Sequence, residues 1–252
     1  MRLVDKVALI TGAGRGIGKE IALKFSHEGA KVILNDIEIS LAEGVREKLL
    51  QPEERALAIQ ADVGNWLEVK RMVEQIGEEF GRIDILVNNA GVRKDVIFPE
   101  MSESDWEAVI SSQLKGSFHC ARAAIPFMMK QRYGKIVNMS SPVPAALGKP
   151  GQVSYSSACA GVEGFTRALA LEVGLYNINV NCIAPDFIDT EMTRLAGRRE
   201  GLYYEDLKRF VAAEVPLRRL GTPADVANVA LFLATEESSF ISGQVLYVRG
   251  GP

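Results

Sequence analysis

Thr11-Gly12-Ala13-Gly14-Arg15-Gly16-Ile17-Gly18 follows an apolar run, Val7-Ala8-Leu9-Ile10, and opens a segment in which Ile17, Ile21, Ala22 and Phe25 share one helical face. The order is strand, glycine turn, helix. Such a turn lets a dinucleotide pyrophosphate approach bare backbone, with the N–H groups and dipole of the helix start facing the negative charge. The spacing departs from G-x-G-x-x-G, because Ile17 stands where the third glycine would follow Gly12 and Gly14. Gly12, Gly16 and Gly18 are the glycines that fit a pattern. Taken alone, the stretch also reads as an ordinary glycine-rich βα turn.

The chain around it has 252 residues, 47% hydrophobic and 24% charged, enough for a large core. No linker divides it, so residues 1–252 are expected to form one domain. A net charge of −3 with dispersed basic residues argues against a nucleic-acid partner. Cys120, Cys159 and Cys182 lack paired or metal-like spacing, so no metal site is expected. With no signal peptide or long apolar span in view, the expectation is a reduced, cytoplasmic protein with no membrane association.

Beyond the first helix, Lys31-Val32-Ile33-Leu34-Asn35-Asp36 reads as a strand ending in an acid at the sheet edge. There Asp36 would accept both adenosine ribose hydroxyls and repel a 2′-phosphate, which favours NAD over NADP. The alternative is an Asp capping the next helix, and a phosphate-holding Arg15 would point the other way. A helix over Ile39 to Leu50, a strand over Arg55 to Gln60, a helix over Trp66 to Phe80 and a strand over Ile83 to Val87 follow. Asp62, with Val63 after it, is placed to accept from an adenine amino group. Asn88, Ala90 and Gly91 suit a cofactor passing over the strand ends. Strands alternating with helices give an α/β fold.

By this point the chain resembles the short-chain dehydrogenase/reductase family, and among its members the 3-oxoacyl-[acyl-carrier-protein] reductases. Thr11 to Gly18, Asp62-Val63, Asn88-Asn89-Ala90-Gly91, Ile136 to Ser141, Tyr155 and Pro185 to Thr190 carry the resemblance over almost the full length. It implies a single-domain Rossmann fold, a doubly wound seven-stranded parallel sheet, and a homotetramer. It also implies a ketone, a secondary alcohol or a 3-oxoacyl thioester as substrate.

The family's active-site residues map onto a long helix expected over Ser104 to Met129, a strand over Lys135 to Met139, and a helix from Tyr155 to Tyr176. An asparagine of the family is Gln113 here, read either as a tolerated amide swap or as a displaced one. The substrate-binding serine matches Ser141, with Ser140 the alternative, after which Pro142 and Pro144 stiffen the loop. Tyr155 is the proton donor and acceptor. Four residues on, where the family has a lysine, stands Cys159. A thiol cannot lower the phenol pKa as an ammonium does. Cys159 therefore reads as a small buried residue or, alternatively, as a nucleophile.

After a strand over Ile178 to Ile183, the family's Pro-Gly turn appears as Pro185-Asp186, which adds bulk and a negative charge. Ile188 and Thr190 match positions that hold the nicotinamide carboxamide. Residues 191–217 match the substrate lid, and Arg194, Arg198, Arg199 and Arg209 there read as a solvated face or as contacts to an acyl-carrier or coenzyme A phosphate. A helix over Pro223 to Ala234, a strand over Gln244 to Val248 and a tail carrying Arg249 in place of an aspartate complete the chain.

The departures gather at the nicotinamide and substrate end, while Gly12, Gly16, Gly18, Asp36, Asp62 and Asn88 are intact. Two functions fit. One is a specialised NAD-dependent oxidoreductase using Tyr155 and Ser141, with another cation or a water in place of the lysine. The other is an NAD-binding but impaired subunit that pairs with an active paralogue.

Overall fold

A computed structural model describes residues 1–49, 56–199 and 203–251. Seven strands form one parallel sheet in the order β3-β2-β1-β4-β5-β6-β7. They are β1 (Val7–Thr11), β2 (Lys31–Asp36), β3 (Ala56–Gln60), β4 (Ile85–Asn88), β5 (Gly134–Met139), β6 (Ile178–Pro185) and β7 (Val245–Val248). Central strands are buried along their whole length; β1 and β4 open on apolar runs, whereas β5 and β6 also bury Lys135, Asn138, Asn179 and Asn181. The strand order reverses at β1, which has β2 on one side and β4 on the other. Beyond the carboxyl ends of those strands lies the crevice where open α/β sheets bind ligands.

Helices cover both faces. Alternate side chains of β1 point to opposite layers: Ile10 joins Phe25 of α1 (Gly16–His27) and Leu231 of α10 (Pro223–Ala234), while Leu9 joins Met72 and Ile76 of α3 (Trp66–Phe80). The sequence sets the helix ends. Asn65 caps α3 by accepting the Leu67 N–H at 3.0 Å, and Gly81 stops it with a left-handed φ of 68°. Thr222 and Asp225 form a capping box on α10, with Pro223 in its first turn.

Several boundaries differ from expectation. The helix after β2 (α2, Ile39–Arg46) ends early, and its expected end at Leu50 and the expected strand start at Arg55 lie outside the described residues. β4 begins at Ile85 because Asp84 turns its carboxylate onto the Val7 N–H at 2.9 Å. The helix expected as one piece over Ser104 to Met129 is α4 (Glu103–Val109), a widened π turn over Ile110–Lys115, and α5 (Gly116–Gln131). Gln113 sits in that π turn, a geometry frequent at functional sites. The loop expected after Ser141 contains a short helix, α6 (Pro142–Ala146). The helix bearing Tyr155, α7, spans Val153–Val173 and tightens into a 3-10 turn over Gly174–Tyr176. The lid stretch holds α8 (Glu191–Arg199) and α9 (Tyr204–Glu214), and the side chains of Arg198 and Arg199 lie outside the described residues. No described helix is long and apolar enough to cross a membrane.

Candidate active site

One cleft of about 370 Å³ runs over the carboxyl ends of the central strands, from Asp36 at one end to Tyr155 at the other. Thr11 closes the crevice beneath it: its hydroxyl donates to the Val87 carbonyl at 3.3 Å and accepts the N–H groups of Asn89 and Ala90, both at 3.0 Å. Gly12, at φ +61°, comes so close to β4 that a Cβ would sit 2.9 Å from the Ala90 Cα. Gly16 lines the cleft at φ +55°. Arg15 ends the loop without a side-chain cap on α1, so the first-turn N–H groups have no side-chain partner there. Those features make an anion cradle.

Gly18 and Asn88 do not line the cleft. A Cβ on Gly18 would overlap the Gly12 carbonyl, so this glycine lets the start of α1 pack under the loop. Asn88 is buried and sends its amide to Asn138 Oδ1 at 2.8 Å, joining β4 to β5. Its neighbour Asn89 lines the cleft instead and holds the loop by donating to the Thr11 and Gly12 carbonyls at 3.0 and 3.1 Å. In an Asn-Asn pair at a strand end the alternation of side chains sends only one toward the cleft, here Asn89.

At the adenosine end stands Asp36; the helix after it, α2, has Glu38 as its N-cap, so the capping alternative does not hold for Asp36. Its carboxylate edges the cleft and accepts the Gly14 N–H at 3.0 Å and the Glu38 N–H at 3.2 Å. Asp62 and Val63 line the same end, with the Asp62 carboxylate accepting the Gly64 N–H at 2.8 Å. Arg15 is exposed and faces Glu191 on α8 at 3.5 Å.

At the opposite end, Tyr155, Ser141 and Gln113 line the cleft with Gly91, Pro185, Ile188 and Thr190. Ser140 is committed elsewhere: its buried hydroxyl donates to Glu163 Oε1 at 3.1 Å, whereas the Ser141 hydroxyl, which lines the cleft, donates to the Pro185 carbonyl at 3.4 Å. Cys159 is fully buried beneath the cleft and receives a hydrogen bond from Gln113 Nε2 at 3.3 Å. Burial pushes its thiol up to about 11, so it is a neutral thiol and not a nucleophile. Burial, and then the proximity of Cys159, raise the Tyr155 phenol above its ordinary range, while Arg93 opposes the rise.

The charge added by Asp186 has a partner the sequence reading did not join to it. Arg249, in the tail after β7, lies 3.9 Å from the Asp186 carboxylate. Burial raises that carboxyl and the arginine pulls it back.

Residues 12–252 match a family model described as enoyl-(acyl carrier protein) reductase. The chain belongs to the short-chain dehydrogenase/reductase family. Among its relatives, it is 43% identical to the (2S)-[(R)-hydroxy(phenyl)methyl]succinyl-CoA dehydrogenase subunit BbsD of Thauera aromatica, covering 100% of this chain and 98% of that one. It is 42% identical to the 3-oxoacyl-[acyl-carrier-protein] reductase FabG of Thermotoga maritima, covering 100% and 99%. The crystal structure of levodione reductase superposes with a TM-score of 0.93 at 31% identity, covering 99% and 98%.

Members of the short-chain dehydrogenase/reductase family use a nicotinamide cofactor, and the cleft fits one: a glycine cradle that a Cβ would obstruct, an uncapped helix start, and Asp36 beyond it. Arg93, Lys149 and Gln152 also line the cleft and went unnoticed in the sequence. They lie in irregular segments, where periodicity gives no signal and a charge reads as solvated.

Proposed function

We propose that this chain is an NAD-dependent oxidoreductase that reduces the ketone of a 3-oxoacyl thioester or a similar small ketone, the secondary alcohol being the reverse substrate. The observation carrying this reading is that the anion cradle and the Tyr155–Ser141 pair occupy opposite ends of one cleft. NAD is favoured over NADP because Asp36 edges the adenosine end and Ile37-Glu38-Ile39-Ser40 after it bring no cation. The acyl-thioester class follows the names of the FabG and BbsD relatives.

When bound, the nicotinamide supplies or accepts the hydride at the substrate carbon. The chain's own residues govern the proton and the geometry. The first-turn N–H groups of α1 and the Gly12–Gly16 loop hold the pyrophosphate, and Ile188 and Thr190 hold the carboxamide. Ser141 donates to the substrate carbonyl and orients it. Tyr155, neutral at physiological pH, delivers its phenolic proton to that oxygen and is reprotonated from solvent. A phenol raised above its usual range suits this direction, because reduction needs an acid whereas alcohol oxidation needs the phenolate. Residues 191–217 act as the substrate lid.

NADH and NADPH oxidation with 3-oxobutanoyl and 3-oxohexanoyl thioesters tests the reading; turnover with NADH above NADPH is expected, and cofactor binding without turnover would contradict it. That second outcome belongs to an impaired NAD-binding subunit, a reading favoured by the neutral Cys159 in place of a cation. In either case we place the protein in the cytoplasm as a tetramer, a homotetramer for the enzyme and a hetero-oligomer with an active paralogue for the subunit. Ser157, Ala160, Gly164 and Ala168 make an exposed, small-residue stripe on α7, with the exposed Leu171 at its end, that suits helix packing.

A further inference from the structure

Among the described residues, four acids line the cleft. Asp36 and Asp62 stand at the adenosine end, and Glu191 faces Arg15 at the lid. The fourth, Asp186, is the first residue past β6, on a stretch of wall whose two ends are fixed by contacts. At one end the Ser141 hydroxyl donates to the Pro185 carbonyl at 3.4 Å. At the other, a Cβ on Gly16 would meet Thr190 Cγ2 at 3.7 Å. Residues 185–190 therefore run from the substrate-orienting serine to the anion cradle. A dinucleotide whose pyrophosphate sits in that cradle must pass its nicotinamide along this wall to reach the carbon whose oxygen Tyr155 serves.

The Asp186 carboxylate is held there without a hydrogen-bond donor. The Asp186 N–H donates to the Val248 carbonyl at 3.1 Å, which pins its backbone to β7. The side chain is 16% exposed, yet no described group donates a hydrogen bond to it. Among the described residues, Arg249 is the one charge acting on it, and its Nε lies 3.9 Å away, beyond hydrogen-bond reach. Arg249 does not line the cleft. It favours the ionised carboxyl from outside, and the pair presents its negative end to the cleft. Arg93 does not compete for that carboxylate, being closed onto Asp95 by three hydrogen bonds.

We infer that Asp186 is the counter-charge of the oxidised nicotinamide and tilts cofactor affinity toward NAD⁺ over NADH. This rests on the NAD-binding reading above and deepens it. The oxidised ring carries one positive charge that the reduced ring lacks, so a fixed carboxylate on this wall favours the oxidised form alone. The same charge develops while the hydride passes to the ketone carbon and Tyr155 gives its proton to the oxygen. Asp186 therefore assists reduction at the cofactor, as the neutral phenol does at the substrate. The carboxamide amino group could also donate to this carboxylate, but both cofactor forms carry that group, and the test separates the two.

Calorimetric titration of NAD⁺ and of NADH, without substrate and at about pH 8 to keep the carboxylate ionised, tests this on the native protein, Asp186→Asn and Arg249→Ala. The readout is the ratio of the Kd for NADH to the Kd for NAD⁺; general damage weakens both and cancels. Asp186→Asn should lower the ratio by about 3- to 10-fold, almost all of it through NAD⁺, the scale of one partly screened charge interaction. Arg249→Ala should leave the ratio equal or higher, since the carboxylate then loses its screen. Asp186→Ser gives the same comparison should the asparagine variant fail to fold. A ratio unchanged in Asp186→Asn overturns the inference. So does an equal loss for both forms, which marks a contact to the carboxamide, and so does a ratio lowered by Arg249→Ala. Each of these outcomes leaves the NAD-binding reading standing. If the native protein binds neither form, that reading falls and the inference falls with it.

Discussion

The side chains of Gln113 and Cys159 touch beside Tyr155: the Gln113 amide donates to the Cys159 sulfur at 3.3 Å. The extra methylene at position 113 reaches toward the room that a small side chain at position 159 leaves. The two side chains form one packed unit.

Cys159→Lys alone should therefore fail to gain reductase activity. It would bury an ammonium against an amide donor, at a cost of about 2–4 kcal/mol in stability. Adding Gln113→Asn should relieve the clash and raise kcat by about 10-fold or more over the single variant. Thermal melting and NADH oxidation check this, and a gain from Cys159→Lys alone that equals the double variant would show the sites to be independent.

The raised phenol sets a pH signature. Reduction, which uses neutral Tyr155, should be flat from about pH 6 to about pH 9, whereas alcohol oxidation should keep rising above about pH 9, because the phenolate forms only beyond its ordinary range. A stability effect follows with the opposite sign. Cys159 is raised from 9.0 to about 11 and Cys120 from 9.0 to about 12, so both favour the fold below pH 9.0, and that contribution is lost as pH climbs through the raised values. The melting temperature should fall over that window, and none of the three buried thiols should react with iodoacetamide in the native protein near pH 8.

How much of this was legible in the sequence depends on the kind of residue. The strand–glycine–helix order and the apolar runs of β1 and β4 state the fold, because burial on both faces leaves no freedom in the pattern. That Gly12, Gly16, Asp36 and Tyr155 share one cleft was legible, because each was placed at the carboxyl end of a strand or the start of a helix. The Asp186–Arg249 pair was not, since 63 positions of chain separate its members and each looked like a separate loss. The π turn at Gln113 was equally hidden, as its sequence has ordinary helical composition.

The Asp186–Arg249 contact should be measurable as a coupling. Arg249→Ala leaves a half-buried carboxylate unpaired and Asp186→Gly removes the need for the arginine, so a double-mutant cycle should return about 0.5–1 kcal/mol for this partly exposed pair. Additive single effects would mean that the two charges do not sense each other.

Asp36 joins cofactor choice to stability. Asp36→Ala removes the acceptor of the Gly14 and Glu38 N–H groups and should cost about 1–2 kcal/mol, seen in urea unfolding. Combined with Ile37→Arg it should shift the NADH-to-NADPH ratio of kcat/KM toward NADPH by about 100-fold or more, the gain of one charge pair and the loss of one repulsion. An unchanged ratio would place the adenosine ribose elsewhere.

The most direct measurement of the central claim is single-turnover NADH oxidation by the native protein and by Tyr155→Phe, with a saturating 3-oxoacyl thioester and with NADH binding followed in parallel. The account predicts that both proteins bind NADH alike, that the native chain turns over, and that Tyr155→Phe is slower by about 10²- to 10⁴-fold. Equal rates in the two proteins, or NADH binding with no turnover in either, would contradict it.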